Sequence, residues 1–200
     1  MGSLAGLLRQ KGYEVAGSDQ EMYEPMKGVL EKLKIPAFTQ YSAFHMKRWK
    51  PDIVVVGNAI GRGNPELEYV LSIGQAYRSM SDILLEEFIE NKQAIVITGT
   101  HGKTTVTALV SWILEYAKLD PTIFVGGVCR NFDNSFKLGN GKYVVLEGDE
   151  YDTACFDKSP KLIFAGSVVD NPIFLIIFSC FFHSSLFQTP SKHAIAPSIL

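Results

Sequence analysis

The stretch AIVITGTHGKTTVTALVSWIL, residues 94–114, constrains the chain more than any other. A β-branched run meets a glycine turn, then a lysine and two threonines, then an apolar stretch at helical spacing. The order strand, loop, helix follows. The helix is expected from near Lys103, with Val106, Leu109, Val110, Ile113, Leu114 and Ala117 on one face. Backbone N–H groups of such a turn can all point at one phosphate, and the helix adds its positive end. Gly99 and Gly102 would let the backbone come close to a nucleotide. Lys103 would reach the β- and γ-phosphates, and the hydroxyl of Thr104 or Thr105 would bind Mg²⁺. Only Thr100 and His101 separate the two glycines, where the common phosphate loop has four residues.

The rest of the first 161 residues alternates in the same way. Ser3 to Lys11 reads as a helix with Leu4, Leu7 and Leu8 on one face, and YEVAGSD as a strand ending at Gly17 and Asp19. Met22, Met26, Val29, Leu30 and Leu33 mark a second amphipathic helix. PDIVVVGNAI is a buried strand whose unbroken Val/Ile run suits a parallel sheet. Pro65 to Ile73 and Ser81 to Glu90 read as helices, the latter capped by Ser81 or Asp82. The pattern restarts near Asn91. TIFVGG and YVVLEG add two strands, and the second runs into the acidic cluster EGDEYD. Alternation of this kind predicts α/β architecture with parallel sheets.

Charge and composition exclude several classes. The net charge is −2, so no basic excess points to nucleic acid. Three widely spaced cysteines, Cys129, Cys155 and Cys180, build neither a disulfide framework nor a metal knuckle, and they suit a reducing compartment. The N-terminus lacks the features of a signal peptide. The apolar run at 173–187 is shorter than the about 20 residues of a bilayer span and is interrupted, so a membrane anchor is not expected. Residues 162–200 show no helical or alternating period and are expected to pack against nothing regular. His45, His183 and His193 have no evident partner and read as surface residues. Asp19 and Asn58, at predicted strand ends, face either a ligand or a turn.

The loop GTHGKTT resembles that of the Mur ligases, and further stretches extend the likeness: GSD at 17–19, GNAIGRGNPELE at 57–68 and EGDEYDTACFDK at 147–158. The resemblance covers roughly residues 1–161. It implies a Rossmann-like N-terminal domain at 1–90 that binds a UDP-sugar and lacks its first strand. It further implies part of a P-loop, ATP-binding central domain at 91–161, and an unrelated apolar tail at 162–200. The implied activity is ATP-dependent amide-bond formation through an acyl phosphate, in the cytoplasm, with UDP-N-acetylmuramate and a short murein peptide as partners. His101 looks like the branch that joins a peptide or L-alanine to UDP-N-acetylmuramate, and the flanking stretches look like the ligase that attaches a tripeptide. A branch that attaches L-alanine is the alternative, and a non-catalytic nucleotide-binding remnant is another. The resemblance implies ATP held by Gly99, Thr100, His101, Gly102, Lys103, Thr104 and Thr105, with Lys103 catalytic and Mg²⁺ on Thr104 and Glu147. Asp149, Glu150 and Asp152 read as solvated neighbours. The family's opening strand and third domain have no counterpart here, so the expectation is a fragment that does not ligate by itself.

Overall fold

The computed structural model describes residues 1–99 and 101–148, together with the backbone of three short strands at Leu162–Ala165, Ile176–Phe178 and Ile195–Pro197. Among these residues the chain forms six α-helices and eleven strands. They fall into two compact units, Met1–Leu84 with Thr189–Leu200, and Leu85–Gln188.

In the first unit, α1 (Gly2–Gln10) buries Leu4, Leu7 and Leu8 completely, the face their spacing predicts. The short strand β1 (Gly17–Ser18) pairs in parallel with β2 (Ala37–Phe38). The second helix, α2 (Met26–Lys32), starts later than Met22, because Pro25 stands at its N-cap and a proline N has no hydrogen to give a helix interior. α3 (Ala43–Trp49) is capped by Ser42, whose Oγ accepts from the Phe44 N–H at 3.2 Å. The strand β3 (Ile53–Val56) is the expected Val-rich one. It is followed by α4 (Pro65–Ser72), where Asn64 Oδ1 accepts from the N–H groups of Glu66 and Leu67 and Pro65 opens the helix. β4 (Tyr77–Ser79) lies parallel to β3. α5 (Met80–Leu84) is capped by neither Ser81 nor Asp82. Ser79 Oγ accepts from the Asp82 N–H at 3.1 Å, and the Asp82 carboxylate accepts from the Ser79 N–H at 3.0 Å, a reciprocal pair that starts the helix one residue earlier, at Met80. The last described strand, β11 (Ile195–Pro197), pairs in parallel with β3.

The second unit opens with a π-helical turn at Leu85–Ile89. β5 (Gln93–Thr98) leads into α6 (Lys103–Tyr116), followed by β6 (Thr122–Cys129), β7 (Asn134–Lys137) and β8 (Tyr143–Glu147). With β9 (Leu162–Ala165) and β10 (Ile176–Phe178) they form one sheet in the order β10-β9-β5-β8-β6-β7, parallel except at its two edges. Strand alternation divides the core. Ala94, Val96, Val144 and Leu146 pack with Ile89 and Phe124, while Ile95, Ile97 and Val145 meet Val110 and Leu114 of α6.

Two expectations change here. Of the predicted α6 face only Val110 and Leu114 reach the core packing beneath it, whereas Val106, Leu109 and Ile113 are about half exposed. The sheet-facing line of the helix runs instead through Thr107 and Ser111, both fully buried. Small polar side chains fit the close approach of helix to sheet, so hydrophobicity alone placed the face about one side chain out of register. Three segments of 162–200 also pair as strands, which the absence of a period did not predict. No helix among the described residues is long and apolar enough to cross a membrane.

Candidate functional site

The site of the second unit is assembled by strand order. β8 lies between β5 and β6, with Ile97 opposite Glu147 on one side and Phe124 opposite Leu146 on the other. β5 hands the chain to the loop at its C-terminal end, so Glu147 and the loop emerge at the same edge, where open parallel sheets bind ligands. Gly148 N–H donates to Ile97 carbonyl at 2.8 Å and holds the two strand ends level.

The loop reaches α6 through Gly102, its N-cap, at φ 73° and ψ 4°. A side chain is strained in that left-handed conformation, so glycine is what the turn needs. Lys103 is the first helical residue and is half-buried, while His101, Thr104 and Thr105 are exposed. Thr100 lies outside the described residues.

Thr104 Oγ1 donates to Glu147 Oε1 at 2.8 Å, and the Gly126 N–H donates to Glu147 Oε2 at 2.6 Å. One carboxylate thus bridges the loop helix and β6. Gly126 leaves room for that approach. A Cβ there would stand 2.9 Å from Glu147 Oε2, and one on Gly127 would stand 3.2 Å from the Thr104 methyl. Behind them Cys129 is buried, and burial first, then the Glu147 charge, push its thiol pKa up, which keeps it protonated.

A hydroxyl and a carboxylate are hard oxygen donors of the kind Mg²⁺ takes. Their 2.8 Å separation is close to the ~3.0 Å edge between neighbouring ligands of an octahedral ion bonded at 2.0–2.1 Å. No group of three or more His, Cys, Asp or Glu side chains that could cage a metal occurs among the described residues. Such a pair suits an ion that shares its shell with phosphate oxygens and water. Asp149, Glu150 and Asp152 lie outside the described residues, as do Cys155, Cys180, His183, His193 and the side chains of the run at 173–187.

In the first unit, Asp19 directly follows β1 and is 8% exposed, and its N–H donates to the Phe38 carbonyl at 2.8 Å. Burial raises its carboxyl pKa, against hydrogen bonds from the Gln20 and Glu21 backbone and the Tyr41 hydroxyl. Asn58 is exposed in the turn after β3. His45 is not a surface residue without a partner. Its Nδ1 is 2.8 Å from Glu66 Oε1, and its ring stacks on Phe38 at 4.2 Å between centroids. Glu66, only 4% exposed, also accepts from the Ser42 N–H at 3.1 Å and from Ser18 Oγ. Sequence reasoning missed Glu66 and Gly126. The signal for Gly126 was present in the paired glycines of TIFVGG, since a glycine inside a strand marks close approach. Nothing in PELE distinguishes the buried Glu66 from the half-buried Glu68.

Comparison with known proteins places the chain among relatives of one family. The profile of the Mur ligase family, catalytic domain, matches residues 1–92. A Haemophilus influenzae protein, UDP-N-acetylmuramate–L-alanyl-γ-D-glutamyl-meso-2,6-diaminoheptandioate ligase, is 39% identical over 94% of this chain and 40% of its own length. The UDP-N-acetylmuramate–L-alanine ligase of Dictyoglomus turgidum is 35% identical over 82% of this chain and 34% of its own. The crystal structure of the Neisseria meningitides UDP-N-acetylmuramate:L-alanyl-γ-D-glutamyl-meso-diaminopimelate ligase superposes with a TM-score of 0.78 at 33% identity, covering 84% of this chain and 56% of that one. The chain therefore spans well under two thirds of the length of these relatives.

Proposed function

The chain belongs to the Mur ligase family, and we propose that it carries the substrate-binding part of an ATP-dependent ligase joining a murein tripeptide to UDP-N-acetylmuramate. The observation that carries this reading is the Thr104–Glu147 pair beside the loop of Gly99, His101, Gly102 and Lys103. In it Gly99–Thr105, Thr100 included, hold the phosphates of ATP, and Lys103 sets its ammonium against the β- and γ-phosphates. Thr104 and Glu147 hold Mg²⁺, which supplies positive charge to the phosphate oxygens. The first unit takes the sugar nucleotide at its strand ends. The domain limits proposed from the sequence, 1–90 and 91–161, belong to the same reading, as does a cytoplasmic setting.

The chemistry is phosphoryl transfer followed by acyl transfer. A lactyl carboxylate oxygen of UDP-N-acetylmuramate attacks the γ-phosphorus, and the bond to ADP breaks to leave an acyl phosphate. The peptide amine then attacks the acyl carbon, inorganic phosphate departs, and the amine loses its proton. Catalysis of the first step is positioning and charge stabilisation, the tasks assigned to Lys103 and the loop. The chain spans 40% of the Haemophilus relative, so ligation is proposed for the whole ligase and binding of the two nucleotides for these residues.

The 35% identity to an L-alanine ligase supports a second reading with L-alanine in place of the tripeptide. Calorimetric titration of the chain with Mg·ATP and UDP-N-acetylmuramate tests the binding, and ligation by the whole ligase with tripeptide or L-alanine decides between the two readings. Binding of both nucleotides is expected, with tripeptide the better substrate of the whole ligase. Failure of both nucleotides to bind would refute the proposal.

A further inference from the structure

We propose that Glu66 is a positioning residue that fixes the substrate-facing strand ends of the first unit, an inference that rests on the sugar nucleotide binding there. Glu66 stands in the first turn of α4, and its carboxylate gathers donors from two other segments. Ser18 Oγ at the end of β1 donates to one oxygen. The Ser42 N–H at the start of α3, at 3.1 Å, and His45 Nδ1, at 2.8 Å, meet the other. The connection closes on itself. His45 stacks on Phe38, the Phe38 carbonyl accepts from the Asp19 N–H, and Asp19 follows Ser18 in the chain.

A buried carboxylate is an expensive way to hold three segments together. Desolvating it costs several kcal/mol, and a packed apolar side chain often serves stability as well or better. What an apolar side chain cannot do is fix direction. Two acceptor oxygens set the Ser18 hydroxyl on one side and the Ser42–His45 turn on the other. Glutamine replaces it only in part. Its amide oxygen can face the Ser42–His45 side and its NH₂ can donate to the Ser18 hydroxyl, but the charge that strengthens all three contacts is gone. The end of β1 fixed in this way is the C-terminal edge at which parallel strands present ligand groups, with Asp19 adjacent.

The test compares the full 200-residue chain with its Glu66→Gln and Ser18→Ala variants. Amide hydrogen exchange is followed over residues 17–19 and 42–45, and affinities for UDP-N-acetylmuramate and for Mg·ATP are measured by calorimetry. Glu66→Gln is expected to speed exchange in both segments. It should also weaken the sugar nucleotide about tenfold, the effect of one hydrogen bond to a charged group, while Mg·ATP affinity stays the same. Ser18→Ala, which keeps the carboxylate and the fold, should speed exchange at 17–19 alone and weaken the sugar nucleotide. Unchanged exchange, or faster exchange with unchanged sugar-nucleotide affinity, overturns the proposal by itself. A wild-type chain that does not bind the sugar nucleotide overturns the reading of the first unit, and the proposal with it.

Discussion

Thr104 and Glu147 are 43 residues apart in the chain, yet the hydroxyl of one donates to the carboxylate of the other at 2.8 Å. Two strand pairings produce that proximity. β8 lies beside β5, which delivers the loop, and beside β6, which supplies the Gly126 N–H to the second carboxylate oxygen. The pair converts a strand–loop–helix that could hold any phosphate into one that could also hold a divalent cation.

Glu147→Gln keeps the volume and one acceptor oxygen but removes the charge. Nucleotide binding should then lose its dependence on Mg²⁺. Titrating ATP with and without Mg²⁺ checks this. Wild type should gain about tenfold or more from the ion, as expected for a charge-assisted contact, and the variant should gain little. An equal gain in both would move the metal away from Glu147.

Gly126→Ala tests the close approach. The added Cβ would meet Glu147 Oε2 at 2.9 Å, so the carboxylate must move from its place between Thr104 and Gly126. The Mg²⁺ effect should fall as it does in Glu147→Gln, while stability changes little, because only the end of a flexible side chain has to give way. Thermal melts together with the same titration measure both.

The loop and its helix were legible in the sequence because glycine spacing, a lysine and apolar periodicity are local signals. The position of Glu147 was legible as a strand end, but its meeting with Gly126 was not, since that depends on β8 inserting between strands distant in sequence. The α6 face was misread because Thr107 and Ser111, not the larger apolar residues, line the sheet. β2 and α3 went unseen within AFTQYSAFHMKRW, where short elements mix aromatic and polar residues without a clear period. Without α3, His45 had no visible partner.

Ser111 follows from that correction. Its Oγ is fully buried and has no hydrogen-bond partner among the described residues. Ser111→Ala removes an unsatisfied hydroxyl and improves helix propensity. It should stabilise the chain by about 1 kcal/mol, read from urea unfolding. Destabilisation would show that the hydroxyl is used.

A pH-dependent contribution is expected at the far end of α6. Lys137 Nζ lies 2.5 Å from Glu115 Oε2 and 2.8 Å from Asp120 Oδ1. The hydrogen bond from Lys137, then the Asn140 N–H, hold the Asp120 carboxyl below its ordinary value. A depressed carboxyl stabilises the fold above its unfolded value of about 3.9, and that stability is lost as pH falls through the lower folded value. Asp120→Asn should therefore cost up to about 1 kcal/mol at pH 7, modest because the carboxylate is 43% exposed. The gap to wild type should close in acid. A gap that persists at pH 2 in urea unfolding would assign the effect to shape, not charge.

The central claim is that the loop of Gly99–Thr105 binds Mg·ATP through Lys103. Its most direct measurement is calorimetric titration of Mg·ATP into the wild-type chain and into Lys103→Ala, with unfolding curves to show that both are folded. The account predicts saturable binding to wild type that weakens by about 1.5–3 kcal/mol in the variant, the range for hydrogen bonds to a charged group. Equal affinity in the two folded chains, or no binding to wild type, would contradict it.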